Sequence, residues 1–152
     1  MIRRMTAQDI PALIALGEAM HKESRYSSLD FNADKLRELG RTILATPNEW
    51  LALVSDCGGE IIGFCLGFVC PHFFGNDLTS GDLAVYVTLE HRGGMAGVAL
   101  VKEYDAWCLK MGVREPLLGV SAGITPERTG QLYERLGYTE KYIIYKKPIP
   151  VV

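Results

Sequence analysis

Residues 83–111, LAVYVTLEHRGGMAGVALVKEYDAWCLKM, restrict the fold more tightly than any other part of the chain. A β-branched and aromatic run, Leu83 to Val87, enters a polar turn through Arg92, Gly93 and Gly94, and an amphipathic helical pattern follows. A strand, a glycine-bearing loop and a helix N-terminus in direct succession leave several backbone N–H groups without intrahelical partners. The positive end of the helix dipole adds to them, so such a junction attracts phosphate. Arg92, at the mouth of the loop, contributes a permanent charge and a fork of donors. A diphosphate fits this chemistry. A Rossmann fingerprint would need a glycine where Arg92 stands, and a Walker loop would need G-K-[ST], which is absent. The plain alternative is an ordinary strand-to-helix turn whose glycines serve tight geometry.

The string V-T-L-E-H-R-G-G-M-A-G resembles motif A of the GCN5-related N-acetyltransferase (GNAT) superfamily, where a strand ends V-x-P-E-x-R-G-x-G-x-G. Val87, Glu90, Arg92, Gly93 and Gly97 fall on that pattern. Leu89 replaces its proline, and Met95 stands at its central glycine, placing a Cβ where phosphate oxygens approach. The resemblance implies acetyl-CoA as cosubstrate. It implies that Arg92, Gly93, Gly94, Met95, Ala96, Gly97 and Val98 surround the pyrophosphate, and that backbone at Val85, Tyr86 and Val87 pairs with the pantetheine arm.

Residues 126–138, PERTGQLYERLGY, read as a helix: Thr125 is the expected cap, Pro126 suits the first turn, and Gly137 stops it. The stretch resembles motif B of the same superfamily, often N-x-x-A-x-x-L-Y-E-K-L-G-F, through Leu132, Tyr133, Glu134, Leu136 and Gly137. Pro126 and Thr129 depart from it. By this resemblance Tyr133 is the catalytic residue, protonating the departing thiolate. Its bland counterpart is an aromatic that packs a helix on a sheet.

The length of 152 residues fits one domain, 1–152, with a sizeable core. No run is long enough to span a membrane, and no charged-then-apolar leader opens the chain. A net charge of −2 argues against nucleic acid as a partner. Cys57, Cys65, Cys70 and Cys108 lack C-x-x-C spacing and read as reduced thiols of a cytoplasmic protein. His21, His72 and His91 have no metal-ligand spacing, so no metal is expected.

Along the chain, Ile2 to Met5 reads as a first strand. Thr6 and Asp9 form a capping-box start to a helix carrying Ile10, Leu13, Ile14, Leu16 and Met20. Asn32 caps a second helix that Pro47 ends. Strands follow at about Trp50–Ser55 and Ile61–Val69, joined by a Gly58-Gly59 hairpin turn. Cys70 to Gly81 reads as a loop, the helix from Gly94 closes at Gly112, a strand spans roughly Pro116–Ser121, and Lys141–Lys147 alternates as a final strand. The order β-α-α-β-β-β-α-β-α-β predicts an α/β (α+β) fold. The GNAT fold that the motifs imply is a mixed, mostly antiparallel sheet of six to seven strands flanked by about four helices.

Gly119 to Gly123 matches the G-x-S-x-G nucleophile elbow of hydrolases, but no histidine follows His91 to serve Ser121 as base. Small residues here suit a strand beside a coenzyme channel. The resemblance further implies direct transfer of acetyl to a primary amine of a small molecule or peptide, and homodimers are frequent in the superfamily. For the base, Asp82 is the nearest carboxylate on the strand, with Glu23 and His72 as rivals. Acceptor choice is expected in His21–Phe31 and Cys70–Asp77, with Tyr26, Phe73 and Phe74 available to line a pocket. Two other readings are a coenzyme-binding protein that has lost catalysis, prompted by Met95 and Pro126, and an interaction module that binds no coenzyme.

Overall fold

The computed structural model describes residues 1–150. Strand β1 (Ile2–Arg4) leads to helices α1 (Ile10–Glu23) and α2 (Ala33–Ala45). Strands β2 (Trp50–Cys57), β3 (Glu60–Pro71) and β4 (Leu78–Val87) follow, then α3 (Ala96–Met111), β5 (Val113–Glu115) and α4 (Pro126–Arg135). The five strands lie in the order β1-β2-β3-β4-β5. Neighbours from β1 to β4 run antiparallel, and β4 and β5 run parallel. The parallel pair needs a crossover, which α3 supplies.

Both faces of the sheet are covered, and this explains the unbroken apolar run in β2. Leu51 and Leu53 point toward α3, where they meet Leu100, Tyr104 and Trp107. Ala52 and Val54 point the other way, toward Met5, Ile10 and Ile43 beneath α1 and α2. The expected local signals are present: Thr6 and Asp9 form the capping box, and the Asn32 side chain accepts from the Lys35 amide at 3.1 Å. Gly58 and Gly59 turn the β2–β3 hairpin with φ of 64° and 95°, and Gly112 closes α3 in the left-handed region.

Several expectations are corrected. Among the described residues the sheet has five strands, slightly fewer than the six to seven expected. The supposed loop from Cys70 to Gly81 shrinks to the turn between Pro71 and Leu78, because Cys70 pairs with Thr79 and Pro71 with Leu78. Pro116–Ser121 is not a strand: pairing with β4 stops at Thr79↔Glu115. Pro116 has no N–H to donate, and the Gly119 N–H goes to the Asp82 side chain instead. Among the described residues Lys141–Lys147 pairs with no strand, and its residues are exposed. Thr125 holds the N-cap position before Pro126, but at φ 41° and with no side-chain capping bond. Helix α3 starts at Ala96 rather than Gly94.

Candidate active site

Two features of β4 shape the site. Its register with β3 shifts between Leu66↔Ala84 and Gly67↔Asp82, which leaves Leu83 as the extra residue of a bulge. Its pairing with β5 ends at Thr79. From Ser80 to Val87, β4 therefore has no strand on its outer side among the described residues. The segment after β5 is held across this gap by side chains. Asp82 Oδ1 accepts from Gly119 N at 2.7 Å, and the Tyr104 hydroxyl, 2.7 Å from Ser80 Oγ, donates to the Leu117 carbonyl at 2.7 Å. From the α1–α2 connection, Arg25 N donates to Ala122 O at 2.9 Å, and the Tyr26 hydroxyl lies 2.9 Å from Ser121 Oγ. Ser121 is thus a tether for Tyr26, with no base beside it.

Past Val87 a short turn, Leu89–His91, leads into the glycine loop. Gly93 takes φ 85°, which its missing side chain permits. The amides from Gly93 to Val98 donate to no backbone carbonyl among the described residues, and helical bonding resumes with Ala99 N to Met95 O at 2.9 Å. This is the row of unpaired donors that the sequence implied, set at the N-terminus of a helix of 16 residues. The Met95 side chain is 70% exposed, so it projects into solvent instead of packing into the loop.

Arg92 also has protein partners of its own. Its Nε donates to Val87 O at 2.8 Å, and both terminal nitrogens grip the Glu23 carboxylate at the end of α1. The guanidinium also lies over the Tyr86 ring, 5.3 Å from its centroid. Its charge is thus paired with the end of α1. The Arg128 guanidinium lies beside the loop: a Cβ on Gly93 would lie 3.5 Å from its Nη2, and no carboxylate pairs with it among the described residues. Sequence reasoning missed Arg128 because it occupies an unspecified position of motif B, and only the approach of α4 to the loop brings it there.

Tyr133 is 5% exposed on α4. Burial pushes its hydroxyl well above the usual phenol range, and the nearby Asp82 carboxylate and Cys65 thiol push it further. Its ring lies 6.1 Å from that of Tyr138. Among the three candidate bases, Asp82 is raised by burial, against the stabilising Gly119 N–H. Glu23 is held low by Arg92, so it is ionised and already occupied. His72 sits in the β3–β4 turn, where its Nδ1 accepts from Phe74 N at 3.2 Å. Phe73 and Phe74 are solvent-exposed and stack on each other and on His72. They line no pocket at the site, whereas Tyr26 does. All four cysteines are free, Cys65 and Cys108 buried and Cys57 and Cys70 exposed. Among the described residues no group of side chains could hold a metal ion, and no helix is long and apolar enough to cross a membrane.

A bulged, splayed strand running into a row of free amides is an arrangement with relatives. The profile of the Acetyltransferase (GNAT) family matches residues 16–138, and the chain belongs to that family. No curated protein matches it in sequence. Solved structures share its fold at low identity. A glucosamine-6-phosphate N-acetyltransferase from Arabidopsis thaliana superposes with a TM-score of 0.76 at 18% identity, covering 99% of this chain and 98% of its own. A ribosomal-protein-alanine N-acetyltransferase from Brucella melitensis biovar Abortus 2308 gives 0.74 at 17%, covering 98% of each chain. An aminoglycoside acetyltransferase from an uncultured soil metagenomic sample gives 0.73 at 17%, covering 99% of this chain and 98% of its own.

Proposed function

We propose that residues 1–152 form one N-acetyltransferase domain that moves the acetyl group of acetyl-CoA directly to a primary amine within a ternary complex. The observation that carries this reading is the run of free amides from Gly93 to Val98, joined to the unpaired edge of β4. The amides and Arg128 would hold the pyrophosphate, and Met95 leaves the loop open to it. Arg92 acts at the same junction as a brace between loop and α1. Backbone of Val85, Tyr86 and Val87 would pair with the pantetheine arm, and an amide there would polarise the thioester carbonyl. Fixing both reactants side by side contributes to the rate. Tyr133, kept protonated by burial, suits the donation of a proton to the leaving thiolate. Asp82 is the carboxylate best placed to collect the proton that the amine releases. Burial raises its pKa above the ordinary carboxylate value, and its Oδ1 accepts from Gly119 N in the gap beside β4.

The reading extends to a cytoplasmic homodimer. Support for the dimer is the stretch Tyr142, Ile143, Ile144 and Tyr145, whose side chains are 70% to 94% exposed. So much contiguous apolar surface on a strand-like segment calls for cover. Acetyl-CoA thiol release across a panel of amines, run on wild type and Tyr133→Phe together, tests the function. Turnover that collapses in the variant supports it. Thermal stabilisation by acetyl-CoA without turnover, unchanged in Tyr133→Phe, would instead indicate a coenzyme-binding protein, and no stabilisation at millimolar acetyl-CoA an interaction module.

A further inference from the structure

Between α1, α2 and the sheet lies a cavity of about 500 Å³. Phe64, Leu66, Leu83 and Ala84 from β3 and β4 form its floor, and Leu13 and Leu36 stand in its walls. Volume and lining are those of a small-molecule site. Leu83 is the bulge residue of β4, and Ala84 directly precedes the backbone assigned above to the pantetheine arm. The cavity therefore ends at the strand residues that adjoin the backbone assigned to the pantetheine arm. Tyr26, at its rim, also ties the α1–α2 connection to Ser121 across the gap beside β4.

The polar groups around it are mostly committed. His21 Nε2 is 2.7 Å from Leu29 O, the Asn32 side chain caps α2, and Tyr26 is bonded to Ser121. Among the described residues Asp30 is the only carboxylate in the lining, and Lys35 lines the same cavity. Glu23, near by at the end of α1, is bound to Arg92. A polyamine or an aminoglycoside carries several ammonium groups. Each would need a carboxylate or open water, since burying an unpaired cation is costly. This cavity offers one acid, a competing lysine and an apolar interior.

We infer that the acceptor is a monoamine on a compact apolar body, an arylalkylamine or alkylamine whose hydrocarbon part fills the space between α1, α2 and the floor of β3 and β4. The inference rests on the transferase reading for the fate of the amine, but binding of the apolar body can be measured without it.

The test compares 2-phenylethylamine and hexylamine with spermidine and kanamycin on the full chain, by calorimetric binding and by thiol release at saturating acetyl-CoA. The expected result is binding of both apolar amines, with KM at least about tenfold below either polycation. In Gly17→Leu, whose side chain enters the cavity from α1 beside Leu36, their affinity falls by at least about tenfold while stabilisation by acetyl-CoA is unchanged. If that variant does not fold, the wild-type comparison decides alone. Spermidine or kanamycin binding and turning over better than the apolar amines overturns the inference and leaves acetyl transfer standing. Binding of the apolar amines with no thiol release from any amine upholds the cavity's chemistry and removes the transferase reading. Absence of binding by either apolar amine overturns the inference whatever the turnover.

Discussion

Replacing Tyr133 by phenylalanine removes one oxygen from a buried ring, and the structure separates its effect on folding from its effect on rate. The hydroxyl makes no hydrogen bond to a protein group among the described residues, and its raised pKa comes from burial and neighbouring charge. Deleting it leaves no partner stranded, so stability should change by no more than about 0.5 kcal/mol, a Tm shift of about 1–2 °C for a chain of this size. Loss of a general acid lowers the chemical step by about 10²- to 10⁴-fold, or about 3–5 kcal/mol of transition-state stabilisation. The proton of wild-type Tyr133 stays in place through neutral and mildly alkaline pH, so this group should add no limb to the kcat profile there. The assay is steady-state thiol release at saturating acetyl-CoA with the best amine of the panel, beside a thermal melt of each protein. A kcat within twofold of wild type, with the melt unchanged, would refute the acid role and return Tyr133 to a packing residue. A melt lowered by many degrees would show that the hydroxyl has a structural partner after all.

Three further outcomes are expected. Arg3 holds the Asp9 carboxyl down to about 2, from an ordinary value of 3.8. A depressed carboxylate stabilises the fold fully above its unfolded pKa and loses that contribution as pH falls through the folded value. Urea melts should therefore show about 2 kcal/mol of stability disappearing between pH about 4 and about 2 in wild type and not in Asp9→Asn; parallel curves would contradict it. In Gly67→Ala the new Cβ would lie 2.8 Å from the Tyr104 ring, which is fully buried and pinned at its hydroxyl by Ser80 and Leu117. Neither side can yield, and a loss of about 1–3 kcal/mol is expected, with an unchanged urea midpoint as the disproof. Arg128→Ala should weaken acetyl-CoA binding and flatten its dependence on salt, since an exposed cation acting on a diphosphate is screened by ions; equal affinity and equal slope would show that the amides act alone.

The local chemistry of this protein was written in short strings. Alternation and helical spacing located β2, β3, α1, α2 and α3. Capping residues such as Asn32 and stops such as Gly112 marked helix ends because they act on backbone groups a few residues away. The free amides of the glycine loop followed from the same local logic, since a helix start after a strand leaves donors over whatever else the fold does.

What local signals could not decide was which group each side chain would meet. Arg92 was legible as a charge beside the loop, but only packing brought Glu23 from α1 to pair with it, and only the approach of α4 brought Arg128 beside Gly93. The parting of β4 from the segment after β5 depends on a bulge at Leu83 and on Asp82 bonding Gly119, contacts between residues far apart in the chain. The same holds for Lys141–Lys147, whose strand-like pattern went unused because a strand exists only where a neighbour offers an edge. Sequence by itself determined the helices, strands β2 and β3 and the free amides that follow β4, all set by interactions spanning a few residues. Tertiary structure alone decided the pairing of charges, the gap along β4 and the apolar cavity beneath α1 and α2, because each is made by distant segments that come together only when the core forms.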